Sequence, residues 1–190
     1  MIYIDDHIWD FDLLEALAAV SQQRRDYALR YRQERDQRLC IAAYRLLQQA
    51  LRQEYGINDE LPQFAYNPQG KPLLDGHPSI HISMSHCRDA VACAVSDQPV
   101  GIDIETTNHY SEEVAARVMS EKEMLEIKSS PHPAMAFTRL WTMKESLYKL
   151  TGNDNDGNIA DMLDDINPYH FTTINHPKFL ITICQQGKKP

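Results

Sequence analysis

Two short stretches of this chain carry side chains whose types and spacing can do chemistry: VGIDIE at 100–105 and KESLYK at 144–149. In the first, Val100, Ile102 and Ile104 alternate with Gly101, Asp103 and Glu105, the pattern of a half-buried strand. Strand side chains point alternately to two faces, so Asp103 and Glu105 leave the same face about 6.6 Å apart, two steps of about 3.3 Å. In the second, Glu145 and Lys149 stand four residues apart in a helical pattern, hence on one face, with Lys144 beside them. Taken alone, each stretch has an ordinary reading. The helical pair is an exposed Glu–Lys pair that stabilises its helix by about 0.2–0.5 kcal/mol, and the strand carboxylates face solvent. Taken together, two strand carboxylates and a helix carboxylate form a hard-oxygen set suited to Mg²⁺, which keeps several waters and completes its shell with substrate phosphates. Lysines beside Glu145 would pair with those phosphate oxygens. That is equipment for phosphoryl transfer.

The elements that must position these groups follow from pattern and punctuation. MIYIDD reads as a short first strand. Residues 21 to about 54 read as one long helix, with Leu39, Ala42, Ala43, Leu46, Leu47 and Ala50 at helical spacing and Gly56 as its stop. NPQGKP (67–72) is a turn. SIHISMS (79–85) and AVACAVS (90–96) read as a hairpin joined by HCRD, after which DQP turns the chain into the VGIDIE strand. Residues 111–127 read as a helix capped by Ser111, and SSPHP breaks it. Residues 134–152 read as a helix with Phe137, Leu140, Trp141 and Leu147 on its buried stripe and Gly152 at its end. NDNDGN (153–158) is a polar loop, KFLITIC (178–184) a closing strand, and QQGKKP a frayed tail. Helices and strands mix in both halves, so the fold class is α+β.

At 190 residues, 43% hydrophobic and 24% charged, the chain has the composition of an ordered globular protein with a sizeable core. The acidic start lacks the basic region of a secretory signal. The longest apolar stretch, LLEALAAV (13–20), is far too short to span a bilayer. Four cysteines without CxxC spacing read as reduced and buried, which points to the cytoplasm. Net charge is −8, yet residues 21–52 hold eight arginines against Asp26, Glu34 and Asp36, a local +5 that leaves the rest at −13. A nucleic-acid binder would be basic overall. A basic segment on an acidic protein suits a phosphate-bearing small ligand or an acidic protein partner.

With these motifs in order, the chain resembles the 4′-phosphopantetheinyl transferase superfamily. GIDIE (101–105) and FTRLWTMKESLYKLTG (137–152), whose carboxylates lie some forty residues apart, are similar to its signature pair. GKP (70–72) and SMSHC (83–87) resemble two upstream motifs of its larger, monomeric branch, the type first known from activating surfactin synthetase. The match runs from about Ser21 to Gly152, about 70% of the chain.

The resemblance implies a pseudo-twofold pair of α+β halves, 1–99 and 100–190, with the active site between them. It implies transfer of the phosphopantetheine arm of coenzyme A to a serine of an acyl or peptidyl carrier protein, with release of adenosine 3′,5′-bisphosphate. By match to the motifs, Asp103, Glu105 and Glu145 hold Mg²⁺, Glu145 is also the general base, and Lys149 and Lys144 hold the diphosphate. His86 with Ser85, Lys71 and the helix residues Arg24 and Arg38 bind coenzyme A, His86 at its 3′-phosphate. Glu123 lies where the family places an acidic residue near the site. The partners implied are coenzyme A and an acidic carrier protein, the chain acting as a monomer, with no nucleic acid and no membrane.

Three departures stand out: NDNDGN replaces a Lys-Gly stretch, Tyr27 stands where a second basic residue is common, and the chain is short after its last strand. Trp141 and Phe137 read as core, and the histidines at 7, 77, 81, 109, 132, 170 and 176 show no metal-ligand spacing. Two other readings remain open. One is a metal-dependent phosphate-ester hydrolase with the same carboxylates; the other is a non-catalytic coenzyme A- or carrier-binding relative.

Overall fold

The computed structural model describes residues 1–58, 61–108, 110–152, 159–164 and 166–187. The chain opens with strand β1 (Ile2–Asp5), followed by helices α1 (Leu13–Ala18), α2 (Gln22–Ala28) and α3 (Glu34–Tyr55). Strands β2 (Phe64–Tyr66) and β3 (Pro72–Leu74) flank the NPQGKP turn, and β4 (His81–His86), β5 (Val91–Ser96) and β6 (Val100–Thr106) come next. Helices α4 (Glu112–Val118), α5 (Glu121–Ser129) and α6 (Pro133–Thr151) lead through a 3₁₀ turn at Ile159–Asp161 to β7 (Tyr169–Asn175) and β8 (Phe179–Gln186). The α+β reading holds. Among the described residues no helix is long and apolar enough to cross a membrane.

The strands form two antiparallel three-stranded sheets, ordered β1-β5-β4 and β6-β8-β7, plus the small β2-β3 hairpin. Both sheets share one order: first strand, last strand, penultimate strand. The period of two sorts their faces. On β5, Val91, Cys93 and Val95 join the core beneath α3, while Ala92 and Ala94 join a second core with Ile102 and Ile104 of β6 and Ile181 and Ile183 of β8. Small alanines on that face let the two sheets share one apolar layer. The opposite face of the second sheet carries Asp103, Thr182 and Cys184, and Leu147 and Leu150 of α6 pack on Cys184.

Two helices expected as single are each divided. The 21–54 helix breaks after Leu29, where no Gly or Pro marks it, and the Gln37 side-chain amide donates to the Tyr31 carbonyl across the break. The 111–127 helix breaks at Met119, and Ser120 restarts it with a reciprocal capping box to Glu123. That S-x-x-E signal was present in SEKE. Strand β7 and helix α1 go beyond the sequence reading; α1 has its own cap, with Asp12 accepting from Glu15 N. The predicted stops do act: Gly56 and Gly152 end α3 and α6 with φ of +68° and +70°, in the left-handed region that favours glycine. Of the predicted tail, Gln185 and Gln186 belong to β8; the polar loop 153–158 and residues 188–190 lie outside the described residues.

Candidate active site

Gly101 makes the site possible. A Cβ there would collide with the Ser146 carbonyl oxygen and stand 2.7 Å from the Leu150 nitrogen. The backbone of α6 therefore lies directly on β6, and the helix side chains flanking Ser146 meet the strand carboxylates. Lys149 donates to Asp103 Oδ1 at 2.6 Å and to Ser85 Oγ at 2.8 Å, and Ser85 Oγ donates to the same Asp103 oxygen at 2.7 Å. Asp103 is only 5% exposed. Glu105 accepts from its neighbour Thr106, from N at 2.7 Å and from Oγ1 at 3.0 Å. Burial pushes the Glu145 carboxyl above the ordinary range, Asp103 and Glu105 add to the shift, and Lys149 partly offsets it. Glu145 thus lies in the field of both strand carboxylates.

Three carboxylates in one field are the hard-oxygen donors that Mg²⁺ takes. Their oxygens do not close on one another unaided: like charges repel, Ser85 and Lys149 engage Asp103, and Glu105 turns onto Thr106. Among the described residues, the one group of His, Cys, Asp or Glu ligand atoms lying within 4.8 Å of one another is Asp5, Asp6 and His7, partly or fully exposed. The expectation that His7 has no metal-ligand neighbours is corrected by this: a strand end folds three successive residues together.

Two adjoining cavities open beside this cluster and share Gly70, Pro72 and Met84 as a common wall. The first, about 230 Å³, is lined by Arg24, Tyr27, Tyr31, Cys40, Ser85 and His86 among others. The second, about 200 Å³, reaches Gln69, Lys71, Ser83, Tyr148 and Lys149. Arg24 lies 5.0–5.6 Å from the ring centroids of Phe64, Tyr44 and Tyr27. Among the described residues its terminal nitrogens meet only sulfur, Cys40 at 3.2 Å and Met84 at 3.9 Å, and its buried Nε has no partner. A guanidinium short of strong acceptors on a cavity wall is fit to take an anionic oxygen. The His86 imidazole, at the rim of the same cavity, is held below its ordinary pKa by the protein crowding it and then by the charge of Lys149. Lys71 donates to the Leu150 carbonyl at 2.9 Å, so the turn cation caps the C-terminal end of α6, and burial lowers its pKa. A larger cavity, about 470 Å³, lies between the 5–11 segment and α3 and touches none of the marked residues.

Three sequence-marked residues, Lys144, Arg38 and Glu123, are not brought here. Lys144 is fully buried, and its ammonium donates to Glu123 Oε2 (2.9 Å) and to the Ile159 and Ala160 carbonyls (2.8 and 2.7 Å). Three donors meet three acceptors, so it has none left for a diphosphate. It is the immediate neighbour of Glu145, but about 100° of helix rotation turns it into the α5 side. Arg38 donates to the Phe11 carbonyl at 2.7 Å and to Glu34 at 2.9 Å, packs on Trp9 and Phe11, and lines neither cavity. Glu123, expected near the site, is the buried partner of Lys144. Ser83, which the sequence reading passed over, accepts from Ile102 N at 3.0 Å and joins β4 to β6. Its signal was the alternation of Ser83 and Ser85 along one strand face.

Residues 99–189 match the family described as the 4'-phosphopantetheinyl transferase superfamily. The chain is similar to a 4'-phosphopantetheinyl transferase of Bacillus subtilis, at 29% identity over 154 residues, 80% of this chain and 68% of that one. It is also similar to the 4'-phosphopantetheinyl transferase gsp of Aneurinibacillus migulanus, 32% identical over 78% of this chain and 61% of the relative. A third relative, psf-1 of Bacillus pumilus, is 36% identical over 70% of this chain and 58% of its own length.

Proposed function

We propose that this chain, a relative of the 4′-phosphopantetheinyl transferases of the larger type, moves the phosphopantetheine group of coenzyme A to a serine of an acidic acyl or peptidyl carrier protein. The observation that carries the reading is the seating of α6 on β6 at Gly101, which sets Glu145 and Lys149 against Asp103 at the mouth of a cleft walled by Arg24 and His86.

Asp103, Glu105 and Glu145 are the carboxylates that would hold Mg²⁺, which when bound neutralises charge on the diphosphate. Lys149, 27% exposed at its side chain, has two protein acceptors and offers its third donor to a diphosphate oxygen. The carrier serine oxygen attacks the pantetheine-side phosphorus, a new P–O bond forms, and the bond to the adenosine-side phosphate breaks to release adenosine 3′,5′-bisphosphate. The serine proton passes to Glu145. Arg24 and His86 take the ribose 3′-phosphate, and Lys71 holds the turn that walls the second cavity. The halves 1–99 and 100–190 would form the pseudo-twofold pair, and the identical strand order of the two sheets supports this. Arg30, Arg32 and Arg35 stay exposed and offer an acidic carrier a cationic approach. Four free, buried cysteines suit a reducing cytoplasm, and two half-like segments in one chain favour a monomer.

Intact-mass analysis of a panel of apo-carriers incubated with the chain, coenzyme A and Mg²⁺ tests the reading. One carrier should gain the mass of one phosphopantetheine, and Asp103→Ala or Glu145→Ala should abolish the gain. Unimpaired transfer by either variant overturns the site. Free phosphopantetheine with unmodified carriers would instead identify a hydrolase.

A further inference from the structure

Strands β4 and β6 are edge strands of different sheets that meet at the centre of the molecule. The outward backbone N–H groups of an edge strand need acceptors. Serine hydroxyls provide them: Ser83 Oγ accepts from Ile102 N at 3.0 Å and Ser85 Oγ from Ile104 N at 3.4 Å. Both serines are buried, at 4% and 7% exposure. Ser85 has two further bonds, donating its hydrogen to Asp103 Oδ1 at 2.7 Å and accepting from Lys149 Nζ at 2.8 Å. A hydroxyl has one hydrogen and two lone pairs. All three are committed to the protein, so nothing remains for a phosphate oxygen of coenzyme A.

We infer that Ser85 is a positioning residue, its hydroxyl locked by the β6 backbone and Lys149 so that it holds the Asp103 carboxylate in one orientation for a divalent cation. The inference rests on the reading of Asp103 as a cation carboxylate, and it moves Ser85 from the coenzyme A contacts to the support of that carboxylate. Both bonds at Asp103 fall on Oδ1; Oδ2 is then the oxygen left to serve the cation. Hydrogen-bonded partners of ligating carboxylates fix the ligand before the cation arrives, and their loss typically costs about 10–100-fold in metal affinity.

The test separates cation from coenzyme A and needs no carrier. Mn²⁺ affinity is measured by electron paramagnetic resonance on the full chain without coenzyme A. Coenzyme A affinity is measured by calorimetry in the presence of a chelator. Ser85→Ala should weaken Mn²⁺ binding about tenfold and leave metal-free coenzyme A binding unchanged, and Ser85→Thr, which keeps the hydroxyl, should restore Mn²⁺ binding. If Ser85→Ala does not fold, Ser85→Cys, similar in shape but a weak hydrogen-bonder, should show the same selective loss. Reduced coenzyme A affinity with intact Mn²⁺ affinity overturns the inference. So does an Asp103→Asn chain that binds Mn²⁺ as the wild type does. A chain that shows the expected Mn²⁺ pattern but modifies no carrier overturns the transferase reading and leaves the role of Ser85 standing.

Discussion

Helix α6 carries two lysines in opposite circumstances. Lys144 lies inside the protein with every donor spent, tying α6 to Glu123 of α5 and to the carbonyls of the 3₁₀ turn at 159–161. Lys149 reaches the cleft, bonded to Asp103 and Ser85 yet partly open to solvent. One is a latch and the other stands open to the cleft. What separates them is the set of acceptors around each, since an ammonium with three protein acceptors is desolvated and fixed, whereas one with two at a cavity wall has a donor left for a ligand.

The largest expected effect falls on the latch. Lys144→Met leaves the Glu123 carboxylate buried without its cation and should lower stability by about 3–5 kcal/mol, read by denaturant unfolding. A loss below about 1 kcal/mol would mean that Lys144 is not the latch. Next comes the platform under both lysines. Gly101→Ala forces a Cβ into the α6 backbone and should cost about 3 kcal/mol or more, with transfer falling alongside stability. Lys149→Met should slow transfer about 10²-fold; it also leaves the buried Asp103 carboxylate without its cation and so lowers stability, but by less than Lys144→Met because Lys149 is partly open to solvent. Equal stability losses in the two variants would erase the distinction. The smallest effect is electrostatic. Crowding and then the Lys149 charge hold the His86 imidazole below its ordinary range. Removing that cation makes the imidazolium less unfavourable, so in an NMR titration His86 should take up its proton at higher pH in Lys149→Met than in the wild type.

Much of the candidate site was legible because its signals are local. The alternation of VGIDIE put Asp103 and Glu105 on one face, and the four-residue spacing put Glu145 and Lys149 on another. The fields of Asp103 and Glu105 at Glu145 agree with both placements. Arg24 and Arg38 carried equal weight as residues, yet Arg24 stands short of acceptors at the cavity while Arg38 is taken up by Phe11 and Glu34. Nothing in the local pattern distinguishes them. The break between α2 and α3 was equally hidden, because it depends on a Gln37 side chain reaching the Tyr31 carbonyl rather than on a helix-breaking residue. Strand β7 was missed because it is a half-exposed edge whose polar and apolar residues give a weak alternation.

By itself the sequence determined which side chains share a face, where glycine must end α3 and α6, and that carboxylates and lysines stand close together along the two stretches. Covalent geometry sets those, through periods of two and 3.6 residues that act over one or two turns. The tertiary structure decided which cations are spent and which are available. Lys149 finds Asp103 across 46 positions, and Ser85 finds it across 18. Those choices depend on the packing of α6 against Gly101, a contact between distant segments that no local periodicity encodes.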